Sequence, residues 1–206
     1  MIHYCEQGTE QWLECRRGKM TASHAQAIGN CWKWLDTYVR TVVADRIANK
    51  TWISGIKNAY TDHWHEHEAT ARWLYELETW LTVSEVWFVD YDDYSGCSPD
   101  GVIFDWDKIV WLIEIKCQDN PTHLDTLLSQ KADSKYERQI QMQLLVTGGE
   151  WCDFVAYNPN FEQSMYIKRY LPDADMQEAI KKWLDIGTTE IKKTLFKFNY
   201  LYKTDE

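Results

Sequence analysis

The sequence predicts an α/β domain in which a mixed central β-sheet is flanked by helices. Apolar residues recur at helical spacing over 34–49, 61–80 and 134–147. Runs rich in β-branched and aromatic residues occupy 83–91, 98–104, 109–116, 151–157 and 164–170. The order is helices, one long helix, three strands, two helices, two strands and a last helix, the pattern of helices packed on a sheet. With 206 residues, 45% of them hydrophobic, the chain fits one domain, 1–206, with a full core.

In chain order, 9–30 reads as two short helices around a turn. The first covers 10–15; the second starts near Ser23, the expected N-cap, and stops at Gly29. In 34–49 the apolar set Trp34, Leu35, Tyr38, Val39, Val42, Val43 and Ile47 marks a core-facing helix, and 50–60, with Gly55, reads as a loop. The long helix 61–80 has Thr61-Asp62 as its cap and continues its apolar spacing through Trp64, Ala71, Leu74, Tyr75 and Leu77. Strand 83–91 turns through 92–96 onto a strand over 97–104, leaving Asp90, Asp92 and Asp93 on a solvated edge. The turn Asp105-Trp106-Asp107-Lys108 leads into strand 109–116. A short helix follows over 121–129, then a strong one over 134–147 with Ser134 as cap and Gly148-Gly149 as stop. Two closing strands are joined through Asn158-Pro159-Asn160. Pro172-Asp173 then opens a terminal helix over about 172–198, whose lysines suit DNA, a second subunit or a solvated face.

Bulk properties exclude several classes. The net charge of −10 argues against a generic basic nucleic-acid coat, although acidic metal-site residues and local basic patches remain compatible with it. The six cysteines form no CxxC pair, so neither a zinc site nor a haem attachment is expected, and buried thiols in a reducing cytoplasm are. His63 and His67 stand four apart, but the segment lacks the glutamate placement of a zincin helix. No apolar run reaches membrane-spanning length, and no signal peptide is expected.

The chemistry gathers in the hairpin of 98–116. Side chains alternate across a strand, so Glu114 and Lys116 share one face while Ile113 and Ile115 take the other. Folding at the 105–108 turn brings Asp100 level with 114–116. Two carboxylates and an ammonium then share one patch. Neighbouring carboxylates stay ionised most easily around a cation, and Mg²⁺ binds through one or two of them plus phosphate oxygens. The set suits metal-assisted hydrolysis of a phosphodiester.

Pro99-Asp100 followed by Glu114-Ile115-Lys116 resembles the PD-(D/E)xK nuclease signature, and the longer context resembles the lambda exonuclease / YqaJ-type phage recombination nucleases. Trp12, Arg16-x-Gly18 and Met20-Thr21-Ala22-Ser23 are similar to the family's amino-terminal motif. Glu68-x-x-Ala71-Arg72-x-x-Tyr75 resembles its helix motif, with Trp64 where glycine is usual. Ser98-Pro99-Asp100-Gly101 and Glu114-Ile115-Lys116-Cys117 match its hairpin, with Gln118 where proline is usual. Tyr136-x-x-Gln139-x-Gln141 resembles its next motif, and 151–157 its following strand.

The resemblance implies a restriction-endonuclease-like fold and an exonuclease that digests double-stranded DNA from the 5′ end. It would release 5′-mononucleotides and leave 3′ single-stranded tails for an annealing protein. Asp100, Glu114, the Ile115 carbonyl and Glu68 would hold Mg²⁺, with Mn²⁺ as a substitute; Lys116 and Gln139 would act beside them. Arg16, Ser23, Ser98 and Tyr136 would contact DNA phosphate, with Arg17 as a competitor for Arg16. His123 suits either substrate contact or a structural role, and Asp153 either the site or an edge. A homo-oligomer is implied, a ring trimer by resemblance, working in the cytoplasm, which for a phage protein is the host's. An endonuclease or single-strand nuclease of the same fold is the alternative enzyme, and a non-catalytic DNA-binding recombination module the alternative without catalysis.

Overall fold

A computed structural model describes residues 1–4, 9–30, 32–48, 59–86 and 88–202, with the side chains of 29, 30 and 59–66 outside the description. The expected loop falls outside it over 50–58, as do the His63 and Trp64 side chains; residues 59–62 are already helical, so Thr61-Asp62 lies inside the long helix and is not its cap. The elements run β1 (Ile2–His3), α1 (Glu10–Arg16), β2 (Met20–Thr21), a 3-10 turn (Ala22–His24), α2 (Ala25–Asn30), α3 (Trp32–Ile47) and α4 (Ala59–Thr79). They continue with β3 (Phe88–Asp92), β4 (Ser95–Cys97), β5 (Gly101–Asp105), β6 (Lys108–Cys117), α5 (Asn120–Ser129), α6 (Ser134–Thr147), β7 (Trp151–Tyr157), β8 (Met165–Tyr170) and α7 (Ala174–Tyr202).

The α/β class holds, but the sheet is divided. One four-stranded sheet has the order β1-β3-β4-β2 and the other β5-β6-β7-β8. Each is mixed: β4 pairs parallel with β2, and β6 parallel with β7, while the remaining pairs are antiparallel. The expected continuous strand over 97–104 breaks between β4 and β5, at Ser98-Pro99-Asp100. Proline has no N–H to give a ladder, so the chain leaves one sheet there and enters the other. The expected strand 83–91 shortens to β3, and Ser84 keeps only an isolated bridge to Val102.

The larger core cluster joins Leu112, Phe154 and Ala156 of the second sheet to Ile140 and Leu144 of α6, Leu35 and Val39 of α3, and Ile180 and Leu184 of α7. A second cluster joins Ile113, Ile115 and Val155, on the opposite face of the sheet, to Ala71 and Tyr75 of α4. The second sheet is therefore covered on both sides, and the side-chain alternation along β6 is resolved between two cores.

Caps differ from expectation by one residue. Asp133, not Ser134, caps α6 by accepting from the Lys135 N–H, and Gly148 closes the helix at φ 69°. Ser23 lies inside the 3-10 turn and caps no helix. Asp90 is half-buried between His3 and Lys19 rather than on a solvated edge.

Candidate active site

Strand β6 carries the centre of the site. Gly101 faces Ile113 in the β5–β6 ladder, and this register sets Asp100 beside Ile115, whose N–H donates to Asp100 Oδ2 at 2.7 Å. Lys116 contacts the Glu114 carboxylate directly and lies 3.9 Å from Asp100 Oδ2. Glu114 and Lys116 thus share one face, as the alternation requires, with Ile113 and Ile115 packed on the other.

Helix α6 completes the surroundings of Glu114, which is fully buried. Gln139 Nε2 donates to Glu114 Oε1 at 2.5 Å, and Gln143 Nε2 donates to Oε2 at 2.6 Å. Each carboxylate oxygen is therefore held by an amide without added charge. Gln143 was not among the expected site residues, although it follows Gln139 by one helical turn on the same face. Tyr136 stacks on Phe154, and its ring centroid lies 5.4 Å from the Lys116 ammonium.

The electrostatics of this cluster are unbalanced. Burial, then repulsion from Asp100, raises the Glu114 pKa to about 7. Burial and Asp100 likewise raise Glu68, on α4, to about 7, against the opposing pull of Arg72 and Lys116. Burial disfavours the Lys116 ammonium, but Glu114 and Asp100 outweigh it and hold the lysine charged. Asp100 and Glu114 therefore share one lysine, and Glu68, paired with Arg72, adds a third carboxylate nearby. That surplus of hard oxygen donors fits a divalent cation such as Mg²⁺. As placed, Glu68 accepts from Arg72 at 3.2 Å, and among the described residues no three His, Cys, Asp or Glu side chains close around one point. Burial also pushes the Cys117 thiol up to about 12, so it is not a nucleophile at neutral pH.

The amino-terminal motif reaches the same place from another part of the chain. Trp12 Nε1 donates to Ser98 Oγ at 3.1 Å, which ties α1 to the corner before Asp100. The Arg16 guanidinium lies 4.2 Å from the Trp12 ring centroid and donates to Ser23 Oγ at 3.4 Å. Burial lowers the Arg16 pKa, while Tyr38, Cys97 and Asp100 favour its charge. Arg16, Ser23 and Ser98 therefore converge beside the carboxylates. Arg17 turns away, to Glu14 and the carbonyls of Asp45 and Ala48. Sequence reasoning did not single out His24, which stacks on Tyr38 at 4.5 Å and bonds Thr21 and Ser23 through Nδ1.

Two open assignments settle as structural. His123 is fully buried, with Nε2 on the Gln163 carbonyl at 2.9 Å. Asp153 is 1% exposed and lies on the second-core face of β7. It takes two bonds of 2.8 Å from Arg169 and one of 2.9 Å from the Tyr75 hydroxyl.

A family model described as the YqaJ-like viral recombinase domain matches residues 11–150. Among solved structures, the chain is similar to LHK-Exo in complex with dAMP at 29% identity and a TM-score of 0.84, covering 93% of this chain and 97% of that one. It is also similar to an alkaline exonuclease, LHK-Exo, from Laribacter hongkongensis at 30% identity and a TM-score of 0.79, covering 94% and 100%. A phage-related exonuclease from Haemophilus somnus 129PT shares the fold at 15% identity and a TM-score of 0.67, covering 87% and 96%. No curated protein matches the sequence.

Proposed function

The chain belongs to the YqaJ-like viral recombinase family of recombination nucleases, and on that premise we propose that it is a Mg²⁺-dependent exonuclease that degrades double-stranded DNA from the 5′ end. It releases 5′-mononucleotides and leaves 3′ single-stranded tails for strand annealing. The observation that carries this reading is the convergence of Asp100, Glu114 and Lys116 on one patch beside the Arg16–Ser23–Ser98 cluster. A phosphate at that cluster and a second at the carboxylates fit successive phosphates of one strand end. The two structures of the Laribacter alkaline exonuclease, one of them with dAMP, support the same substrate class.

Asp100, Glu114, Glu68 and the Ile115 carbonyl would hold Mg²⁺, with Mn²⁺ as a substitute. When bound, the ion supplies Lewis-acid stabilisation of phosphoryl charge. Lys116 orients the attacking water and offsets charge growing on the phosphate. Gln139 and Gln143 fix the Glu114 carboxylate without adding charge. Arg16 offers a guanidinium fork to the terminal phosphate, with Ser23 and Ser98 as hydroxyl partners and Tyr136 walling the lysine side. Glu68, which accepts from Arg72 through Oε1, would add its carboxylate to the ion's surroundings.

A ring-shaped homo-oligomer, a trimer by resemblance, belongs to the same proposal, as does a single-strand annealing partner in the cytoplasm. A ring accommodates the net charge of −10, because only its lining needs to be basic. Among the described residues no helix is long and apolar enough to cross a membrane.

The decisive assay compares end-labelled linear duplex, bearing 5′-phosphate or 5′-hydroxyl, with covalently closed circular DNA in Mg²⁺ and in EDTA. Release of mononucleotides from the 5′ end of linear DNA alone, in Mg²⁺ alone, is the expected result. Cutting of the circle would mean an endonuclease of this fold, and binding without cleavage a non-catalytic module.

A further inference from the structure

Past the end of β6 the site opens into a cavity of about 540 Å³, within the ~300–1,000 Å³ range of small-ligand sites. It begins at Cys117, whose thiol feels the charges of Glu68, Asp100 and Lys116, and at His67, the residue before Glu68. Its lining adjoins the site through chain neighbours, Cys117 following Lys116 and His67 preceding Glu68, whereas the Arg16 cluster neighbours Asp100 through Ser98.

The lining is amide-rich and aromatic. Asn158, 2% exposed, donates to the Gln118 carbonyl at 2.9 Å and to Asn120 Oδ1 at 3.0 Å, which fixes the floor. Tyr157 and His67 present rings 6.2 Å apart and inclined at 58°. Gln118 itself is 9% exposed, lines the cavity, and its Oε1 is buried with no hydrogen-bond partner. A buried acceptor left unmade costs free energy in the absence of a ligand. Its persistence here points to a donor that arrives with one.

We propose that this cavity is a nucleobase subsite: Gln118 Oε1 accepts an N–H from the base of the nucleotide whose 5′-phosphate is the one cleaved, and that base lies against Tyr157 and His67. The inference rests on the 5′-exonuclease reading for the direction of the strand. With the terminal phosphate at Arg16 and the next phosphate at Lys116, the second nucleotide is the one carried toward the cavity. Adenine, guanine, cytosine and thymine each carry at least one N–H on the pairing edge, so a lone acceptor holds any base without choosing among them. A ring face gives the same tolerance, because every base has one. This is the recognition expected of a nuclease that proceeds through any sequence. Gln118 stands where the family pattern usually has proline, which has no side-chain acceptor, so the contact belongs to this chain's own sequence.

The test uses the full chain and two substitutions, Gln118→Leu and Gln118→Met, which keep bulk and remove the acceptor. The substrates are 5′-phosphorylated duplexes, intact or with one abasic residue at the second nucleotide, in Mg²⁺. The wild-type protein should cleave the intact end with a kcat/KM about tenfold above the abasic one. Both variants should lose most of that preference, keeping only the part that the Tyr157 and His67 rings supply. Binding in EDTA of a 5′-phosphorylated dinucleotide with and without its second base, followed by tryptophan fluorescence, should show the same loss of preference. The melting temperature should hold or rise in both variants, since an unpaired buried acceptor is gone; a merely structural amide would lower it. A wild-type protein indifferent to the abasic residue, or variants that keep the preference, would overturn the subsite. Failure to degrade any 5′ end would instead overturn the exonuclease reading, and the dinucleotide comparison would then decide the subsite alone.

Discussion

Glu114 shows how one buried carboxylate is made usable. It has no access to solvent, yet two amides and a lysine meet its oxygens, so its burial is compensated group by group. Replacing Gln143 with Leu removes one of those donors and should cost roughly 1–3 kcal/mol of stability, read as a lowered denaturation midpoint, together with weaker Mg²⁺ protection. Lys116→Ala should reduce cleavage by roughly 100-fold or more while Mg²⁺ still raises the melting temperature; full activity would refute the role given to this lysine. Burial, then Asp100, pushes Glu68 and Glu114 up to about 7 in the fold, from the ordinary glutamate value of 4.5. The folded, metal-free protein therefore holds the extra protons, and the stability they contribute is present below about 4.5 and lost as pH rises through about 7. A divalent cation must displace the same protons, so cleavage should climb across that window. Melting in EDTA and in Mg²⁺ at pH 5 and pH 8 checks both signs: the Mg²⁺ stabilisation should be larger at pH 8, and Glu114→Gln should flatten the difference.

At the scale of elements, the hairpin β5–β6 and the corner before it carry the geometry. Gly101 is tightly placed: a Cβ there would meet Val83 Cγ1 at 2.3 Å and Ile113 Cγ1 at 2.8 Å. Gly101→Ala should cost about 1–3 kcal/mol through overpacking and should move Asp100, its neighbour, off the Ile115 N–H. Loss of activity larger than the loss of folded protein at assay temperature is the expected readout. The α6 helix supplies the other half, and its start rests on Asp133, so Asp133→Ala should cost about 1 kcal/mol without changing cleavage per folded molecule. The Glu114–Lys116 pair in β6 and the Tyr136–Gln139 pair in α6 were both legible in the sequence, the first as alternation along a strand and the second as one turn of a helix. Which stripe faces which strand was not, since periodicity sets a face but not the neighbour it packs against.

Across the whole molecule, the site is assembled from α1, the 3-10 turn, α4, the 98–100 corner, β6 and α6, which lie far apart in sequence. The second sheet holds them together by being packed on both faces, and a buried carboxylate ties its strands to α4. Asp153 receives Tyr75 and the half-exposed Arg169 between the second core and the edge strand, and Asp153→Ala should cost about 1–3 kcal/mol, chiefly by leaving the buried Tyr75 hydroxyl unpaired. Chemical denaturation would show this loss, with no direct effect on the kcat of the remaining folded protein. The sequence by itself determined the α/β class, nearly all the elements, and the apposition of Asp100 with Glu114 and Lys116. Those depend on a turn and on alternation along a few adjacent residues, which are local properties. Only the tertiary structure decided the division into two sheets, the second amide on Glu114, the tie from Trp12 to Ser98, and the outward turn of Arg17. It also sent Asp153 to the far face. Each of these depends on which distant surfaces pack together, and packing is settled by the shape of the whole core rather than by any one stretch of chain.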